Sequence, residues 1–263
     1  STISLCLKLC PWAKFRKTKG GIKMHTLLDL RGNLPVSVYL TTASVNDVKG
    51  LDELYIEPAA IYLMDKGYVD FNRLFKLINK KNAYFVTRAK DNMLFEVVSA
   101  SSVDQSTGVI ADEHIKLTGL RTSKWYPEEL RMVTYEDYAT NNVYRFLTNN
   151  MEYEAITISE LYRERWNVEL FFKWIKQHLH IKSFYGTSEN AIYLQIWIAM
   201  CTYLLLAYAK KVMHIEQSLH TISKNVGLFL TDKTHLNELF NKAVPKEEPE
   251  DLWYPSLFKP DDF

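Results

Sequence analysis

Cysteine is scarce in this sequence. Three residues, Cys6, Cys10 and Cys201, stand among 263, too few and too irregularly spaced for a disulfide framework, so the expected setting is a reducing cytoplasm. No CxxC pair and no HExxH signature occurs, which leaves the common zinc-site patterns without support. Net charge is scarce as well: 32 Lys and Arg against 31 Asp and Glu give +1. There is thus no global electrostatic case for nucleic acid, and any such case must rest on local patches. Internal repeats, low-complexity tracts and a charged-then-apolar secretory leader are all lacking. The chain opens at Ser1 without an initiator Met, and on that ground is expected to be a piece of a longer protein.

Apolar residues, in contrast, are plentiful. At 47% hydrophobic and 13% aromatic, the chain can bury one large core, or a core with a substantial inserted module, and it is not a disordered protein. One segment imitates a membrane span: residues 191–209, AIYLQIWIAMCTYLLLAYA, approach the roughly 20 residues a bilayer requires. Two readings stand side by side, a span and a long helix buried in a soluble α/β domain. Three tyrosines and the internal Gln195 suit the second.

The first ninety residues alternate between strand and helix patterns. Residues 21–29 (GIKMHTLLD) and 34–41 (LPVSVYLT) alternate as strands, and Arg31-Gly32-Asn33 between them supplies turn chemistry, so an antiparallel hairpin is predicted. Asn46-Asp47 can cap a short helix reaching about Tyr55. AIYLMD at 60–65 is a brief apolar run suited to a buried strand, and it ends on Asp65. Residues 70–80 have helical spacing, and 83–87 (AYFVT) reads as another strand.

From 91 to about 154 the texture turns to short strand-like pieces with polar turns. Residues 130–135 and 143–148, joined through ATNN, read as a hairpin within an inserted β module. Helical periodicity resumes near Ile158, breaks at Tyr185-Gly186-Thr187-Ser188, and continues through the apolar segment. The proline-rich, acidic tail at 245–263 reads as an irregular wrap.

Residues 162–179, YRERWNVELFFKWIKQHL, read as one helix. On a wheel at roughly 100° per residue, Tyr162, Arg165, Glu169 and Lys176 fall within an arc of about 60°, beside an apolar face of Leu161, Val168, Phe172, Ile175 and Leu179. One flank suits a core and its neighbour an anion. Trp166 and Trp174 lie on a further face, expected to pack against the β module. His178 and His180 point apart on a helix and are read as structural. Lys210 and Lys211 end the apolar helix favourably, and Cys6 and Cys10 are read as packing residues.

An aspartate at the end of a buried strand is costly unless compensated. Asp65 has two readings: a cap for the following turn, or a functional group at the carboxyl end of a strand, where open α/β sheets gather them. Glu169 alone could pair with Arg165 or Lys173 as a surface charge. Together the two carboxylates, with a third, could hold a pair of Mg²⁺ or Mn²⁺ ions that activate a water and stabilise the leaving oxygen of a phosphodiester. Arg165 and Lys176 suit phosphate oxygens, and Tyr162 offers a hydroxyl or a stacking surface. Lys14, Arg16, Lys17 and Lys19, interleaved with Phe15, form the densest basic run, either a solvated loop or a DNA-backbone contact.

The spacing of Tyr162, Arg165, Glu169 and Lys176, namely Tyr, two residues, Arg, three residues, Glu, six residues, Lys, resembles the signature of the DDE transposases of the insertion-sequence-4 family. MDKGYVDF around Asp65 is similar to that family's second-aspartate region, and STISLCL with PWAKFRKTKGGIKMHTLLDLRGNLP resembles its amino-terminal stretch. The resemblance runs from Ser1 to about Lys211. It implies an α/β, RNase H-like mixed sheet flanked by helices, with a β-rich insertion before the helix carrying the catalytic Glu. The implied division is 1–90 for the first part of the core with its opening strand truncated, 91–157 for the β module, 158–240 for the helical completion and 241–263 for the tail.

By the same resemblance Asp65 and Glu169 are two of three catalytic, metal-binding carboxylates for Mg²⁺ or Mn²⁺, and Tyr162, Arg165 and Lys176 contact DNA phosphates. The implied activity is strand cleavage and joining of 3′-hydroxyl ends. The implied partners are double-stranded DNA, as terminal inverted repeats and target, and a second copy on paired ends, in a bacterial cytoplasm with no membrane. The family's first aspartate lies just ahead of a segment like Ser1-Thr2-Ile3, so the 263 residues are expected to lack a complete metal site. Asp29 is a possible substitute whose place beside a turn favours a turn role. The rival readings are an inactive relative that only binds DNA, an RNase H-like structure-specific nuclease, and a membrane protein built on 191–209.

Overall fold

The computed structural model describes residues 1–179, 181, 183–229 and 240. His180 and the tail at 241–263 lie outside the described residues, and with them the expectations placed there. The chain divides into two compact units, one built from Ser1–Val45 and the described residues from Val168 onward, the other from Asn46–Asn167.

The first unit opens with β1 (Thr2–Leu5), β2 (Lys14–Arg16), β3 (Lys19–Asp29) and β4 (Leu34–Thr42). β3 is central and antiparallel to all three partners: β1 lies along one edge, β2 and then β4 along the other. The close approach of β1 needs glycine, because a Cβ on Gly21 would sit 2.9 Å from the Ile3 carbonyl oxygen. The predicted turn between β3 and β4 forms, with Asn33 at φ 51°, a left-handed conformation that Asn tolerates. The predicted turn role of Asp29 forms too. Its carboxylate accepts hydrogen bonds from the Arg31 backbone N–H, Nε and Nη2 at 3.0, 3.1 and 3.0 Å.

The second unit starts with a 3₁₀ turn, Asp47–Glu53, capped by the Asn46 side chain, followed by β5 (Ile61–Met64). The segment predicted helical at 70–80 is helical but irregular. Asp70 caps α1 (Phe71–Arg73), which widens into a π turn at Leu74–Ile78 and tightens into a 3₁₀ turn at Asn79–Lys81. The widened turn directs Asn79, which accepts from Asn149 Nδ2 at 3.0 Å and donates to Glu128 Oε2 at 2.6 Å.

β6 (Tyr84–Arg88), β7 (Phe95–Ser101), β8 (Val109–Leu117), the short α2 (Thr122–Trp125), β9 (Leu130–Asp137), β10 (Asn142–Thr148) and α3 (Ala155–Glu164) complete this unit. The strands make one six-stranded sheet in the order β5-β6-β10-β9-β8-β7. β5 and β6 are parallel and the rest antiparallel, so the sheet is mixed. Because β10 pairs directly with β6, the strands from 95 to 148 lengthen the sheet that β5 and β6 begin. The hairpin predicted through ATNN is β9–β10. α3 lays Ile158 and Tyr162 over Val86, Val133 and Phe146.

Arg73 braces the turns beside β5. Its Nε and Nη2 donate to the two Asp52 oxygens at 2.8 and 2.9 Å, and Nη1 donates to Asp70 at 3.0 Å. Those hydrogen bonds hold the Asp52 carboxyl below its ordinary range, against a smaller opposing effect of burial. A lowered folded-state pKa stabilises fully above the unfolded value of about 3.9 and is lost as pH falls through the folded value. Asp52→Asn is therefore expected to lower the thermal midpoint at neutral pH, with the difference from wild type closing as the pH drops below about 4. Melting curves across pH check this, and a difference persisting into strong acid would exclude the Arg73 contact as its source.

α4 (Asn167–His178), α5 (Glu189–Val212) and α6 (Leu219–Leu228) follow. Phe171, Phe172 and Ile175 of α4 and Ile192, Ile196 and Met200 of α5 share one core with Ile3, Ile22 and Met24 of the first sheet. Truncating a fully buried Ile or Met to Ala in such a core costs about 2–5 kcal/mol. The break predicted at 185–188 supplies the start of α5, where Ser188 Oγ accepts from the Ala191 N–H at 3.2 Å. By length and composition α5 could cross a membrane. Its Ile192, Ile196, Ala199, Met200, Tyr203 and Leu206 nevertheless form a buried face, as a core helix requires.

Candidate functional site

Asp65 stands immediately after β5 and caps the 3₁₀ turn Lys66–Tyr68, its Oδ1 accepting from the Lys66 N–H at 2.7 Å. The side chain is exposed, so capping the turn does not bury the carboxylate. Burial, helped by the negative charges of Asp47 and Asp65, pushes the Tyr68 hydroxyl up to about 12. Two carboxylates thus bear on one phenol. The sequence marks Asp47 only as part of a helix cap. Its nearness to Tyr68 comes from the packing of two 3₁₀ turns, which no local spacing signals.

The single helix expected over 162–179 is two. α3 ends at Glu164, Arg165 and Trp166 form a turn, and α4 begins at Asn167. The Arg165 and Trp166 N–H groups bond three residues back, to the Tyr162 and Arg163 carbonyls, both at 3.1 Å. This tightening ends the α ladder. Asn167 fixes the turn by donating from Nδ2 to Glu164 Oε2 at 2.7 Å, the local bonding that makes Asn a breaker. The wheel position of Tyr162 and Arg165 consequently does not carry over to Glu169 and Lys176.

Each motif residue has its own setting. Tyr162 is 2% exposed and packs on Phe146 at 4.9 Å between ring centroids. The Arg165 guanidinium lies over the Tyr162 ring at 5.5 Å, a cation–π contact that orients it. Glu169 is half-buried in the first turn of α4, where a negative charge suits the helix N-terminus. Lys176, in the last turn, donates from Nζ to Ser1 Oγ at 2.7 Å and to the Thr2 carbonyl at 3.2 Å. That bond spans 175 residues of sequence and pins the start of β1 to α4.

The basic run forms the β2–β3 hairpin. Lys14, Arg16, Lys17 and Lys19 are all exposed there, and the Arg16 guanidinium sits over Phe15 at 5.5 Å. Trp174 departs from its expected place against the β module. It packs within the first unit, on Tyr203 of α5 and on His178, with centroids 5.2 and 5.1 Å apart, because its face of α4 is the one turned to α5. His178 in turn lies over His220 at 4.1 Å.

Asp65 and Glu169 are hard oxygen donors, the ligand type that Mg²⁺ and Mn²⁺ prefer over nitrogen or sulfur. Among the described residues no group of three His, Cys, Asp or Glu is placed to hold a metal ion. Each carboxylate, taken by itself, is of the ligand type that a divalent cation accepts.

Comparison with known proteins locates the chain. Residues 11–205 match the family described as "Transposase DDE domain". The chain is 38% identical over 212 residues to "Putative transposase y4zB" of Sinorhizobium fredii, an alignment covering 79% of this chain and 59% of that protein. It is 28% identical over 209 residues to "Probable transposase for insertion sequence element IS5377" of Geobacillus stearothermophilus, covering 79% and 54%. Against "Putative transposase for insertion sequence element IS4SA" of Synechocystis it is 25% identical over 228 residues, covering 83% and 59%. The chain thus spans between 54% and 59% of the length of these curated relatives. With a family match across most of its length and an α/β, RNase H-like architecture built on a mixed sheet, the chain belongs to the transposase DDE domain family.

Proposed function

We propose that this chain is the catalytic domain of an insertion-sequence transposase of the insertion-sequence-4 type, which cuts DNA at the ends of its element and joins 3′-hydroxyl ends to target DNA. The observation that carries the reading is the match over residues 11–205 to the transposase domain, with Asp65 falling at the carboxyl end of β5. Asp65 and Glu169 are the two metal-binding carboxylates that this chain supplies. The metal, Mg²⁺ or Mn²⁺, would contribute activation of a water and charge stabilisation at the leaving oxygen.

The remaining residues bind and orient. Arg165, held over the Tyr162 ring, presents its guanidinium fork to a phosphate, so Tyr162 acts through Arg165. Lys176 supplies a point charge while fixing the first residues of β1. Lys14, Arg16, Lys17 and Lys19 follow the DNA backbone along the exposed hairpin. In this reading 1–90 and 158–240 make up the catalytic core, with 91–157 inserted between them. The protein works in the bacterial cytoplasm on double-stranded DNA, with two copies on paired ends.

The test is metal-dependent cleavage and strand transfer by the full-length protein on its element's end sequence, and by its Asp65→Asn variant. Transfer of a 3′-hydroxyl end supports a transposase, cleavage alone a nuclease, and binding without either an inactive relative. For the basic hairpin, replacing Lys14, Arg16, Lys17 and Lys19 by Ala is expected to weaken DNA binding across sequences and reduce the salt slope by about one per lost phosphate contact. Lys176→Ala is expected to lower both affinity and slope in the same way. Binding titrations at several salt concentrations measure this, and an unaltered slope assigns the residue to structure instead.

A further inference from the structure

α5 has a second apolar face, opposite the one in the core. Leu194, Trp197, Ile198, Cys201, Leu205 and Tyr208 lie within an arc of about 120°, and the five large ones are between 42% and 69% exposed. Leu194, Cys201 and Tyr208 recur every seven residues, as do Ile198 and Leu205. No Asp, Glu, Lys or Arg occurs from residue 190 to 209. A seven-residue apolar repeat is the pattern that seats a second helix.

We propose that this stripe joins two copies of the chain, α5 packing antiparallel on α5 about a two-fold axis near Cys201. A helix whose exposed face is its own complement needs no other partner. About Cys201, Leu194 opposes Tyr208 and Trp197 opposes Leu205, so large apolar groups meet at every level, as an isologous interface demands. Covering the stripe on both copies removes on the order of 1,000 Å² from water, the size at which specific association begins. The antiparallel sense sets the Lys210–Lys211 end of one helix beside the Glu189 end of the other, which charge and helix dipole both favour. A lipid surface fits less well, because interfacial helices carry a charged face opposite the apolar one, and here the opposite face is buried in the protein core. The inference rests on the two-copy part of the proposed function and on none of its chemistry.

The mass of this chain in solution, measured by light scattering after gel filtration at micromolar concentration, tests the pairing, together with oxidation by diamide. Two facing Cys201 thiols would each give up a hydrogen to the diamide azo group, forming one disulfide and a hydrazine. The expected result is a dimer of two 30.7 kDa chains, cross-linked by diamide. Cys201→Ser should remain dimeric without cross-linking. Leu205→Glu, at a site 69% exposed and so tolerated by the fold, should weaken association roughly hundredfold or more, with an unchanged far-ultraviolet circular dichroism spectrum. A dimer that survives Leu205→Glu overturns this surface while leaving the two-copy reading in place. A monomer throughout, or a monomer that floats with phosphatidylcholine vesicles, overturns this surface, whereas the two-copy reading is overturned by a single copy in the complex with end DNA.

Discussion

Glu169→Gln in the full-length protein is expected to abolish strand cleavage while leaving the fold intact. In the proposed role of Glu169 the substitution removes a metal-binding charge at nearly constant size, and metal-ion stabilisation of the transition state amounts to several kcal/mol, so a loss of about a thousandfold or more follows. Glu169 is half-buried in the first turn of α4, where the helix dipole favours its charge by about 0.3–1 kcal/mol. Cleavage of end DNA in Mg²⁺, set beside a thermal melt, separates the two effects. Unchanged cleavage would take Glu169 out of the site, and a collapsed melt would make it a structural residue.

The largest stability effect is expected at Arg131, far from the motif in sequence. Its Nε and Nη2 donate to both Asp112 oxygens at 2.7 and 2.8 Å, and Nη1 donates to the Tyr153 carbonyl at 2.6 Å. Arg131 and Asp112 are 5% and 6% exposed, so Arg131→Ala leaves a carboxylate buried without its counter-charge. The expected loss is about 3–5 kcal/mol. Replacing both partners with apolar residues of similar volume, as in Arg131→Met with Asp112→Leu, should cost much less, since no charge is then stranded. Denaturant unfolding of the chain and the two variants decides it. Equal losses in single and double variants would move the effect from the ion pair to the Tyr153 contact, which both variants remove. That contact holds the chain just ahead of α3, so the pair also fixes where the helix with Tyr162 begins.

The elements legible in advance were those whose signal is local. Alternation marked β3, β4, β9 and β10, the brief apolar run marked β5 with Asp65 after it, and the length of the apolar segment marked α5. Turn residues at 31–33 and the Asn46 cap formed as their chemistry dictates. The helix break at Arg165-Trp166 was not legible, because the apolar spacing continues through it and only the shorter backbone hydrogen bonds end the ladder. Trp174 was assigned to the wrong neighbour for a related reason. A wheel says which residues share a face, and it does not say what lies opposite.

By itself, the sequence determined the family of the chain, through the spacing of Tyr162, Arg165, Glu169 and Lys176 and the stretch around Asp65, and it determined which charged residues that motif contains. Tertiary structure alone decided what those groups touch. It placed Tyr162 beneath Arg165 rather than in solvent, tied Lys176 to Ser1 across 175 residues, and set Asp47 beside Tyr68. It also joined β10 to β6 so that the strands from 95 to 148 extend one sheet, and left Leu194, Trp197, Ile198, Leu205 and Tyr208 of α5 exposed. The physical reason is common to all of these. Periodicity and capping are fixed by neighbours within a few residues, whereas pairing and burial depend on segments brought together only when the chain closes its long loops.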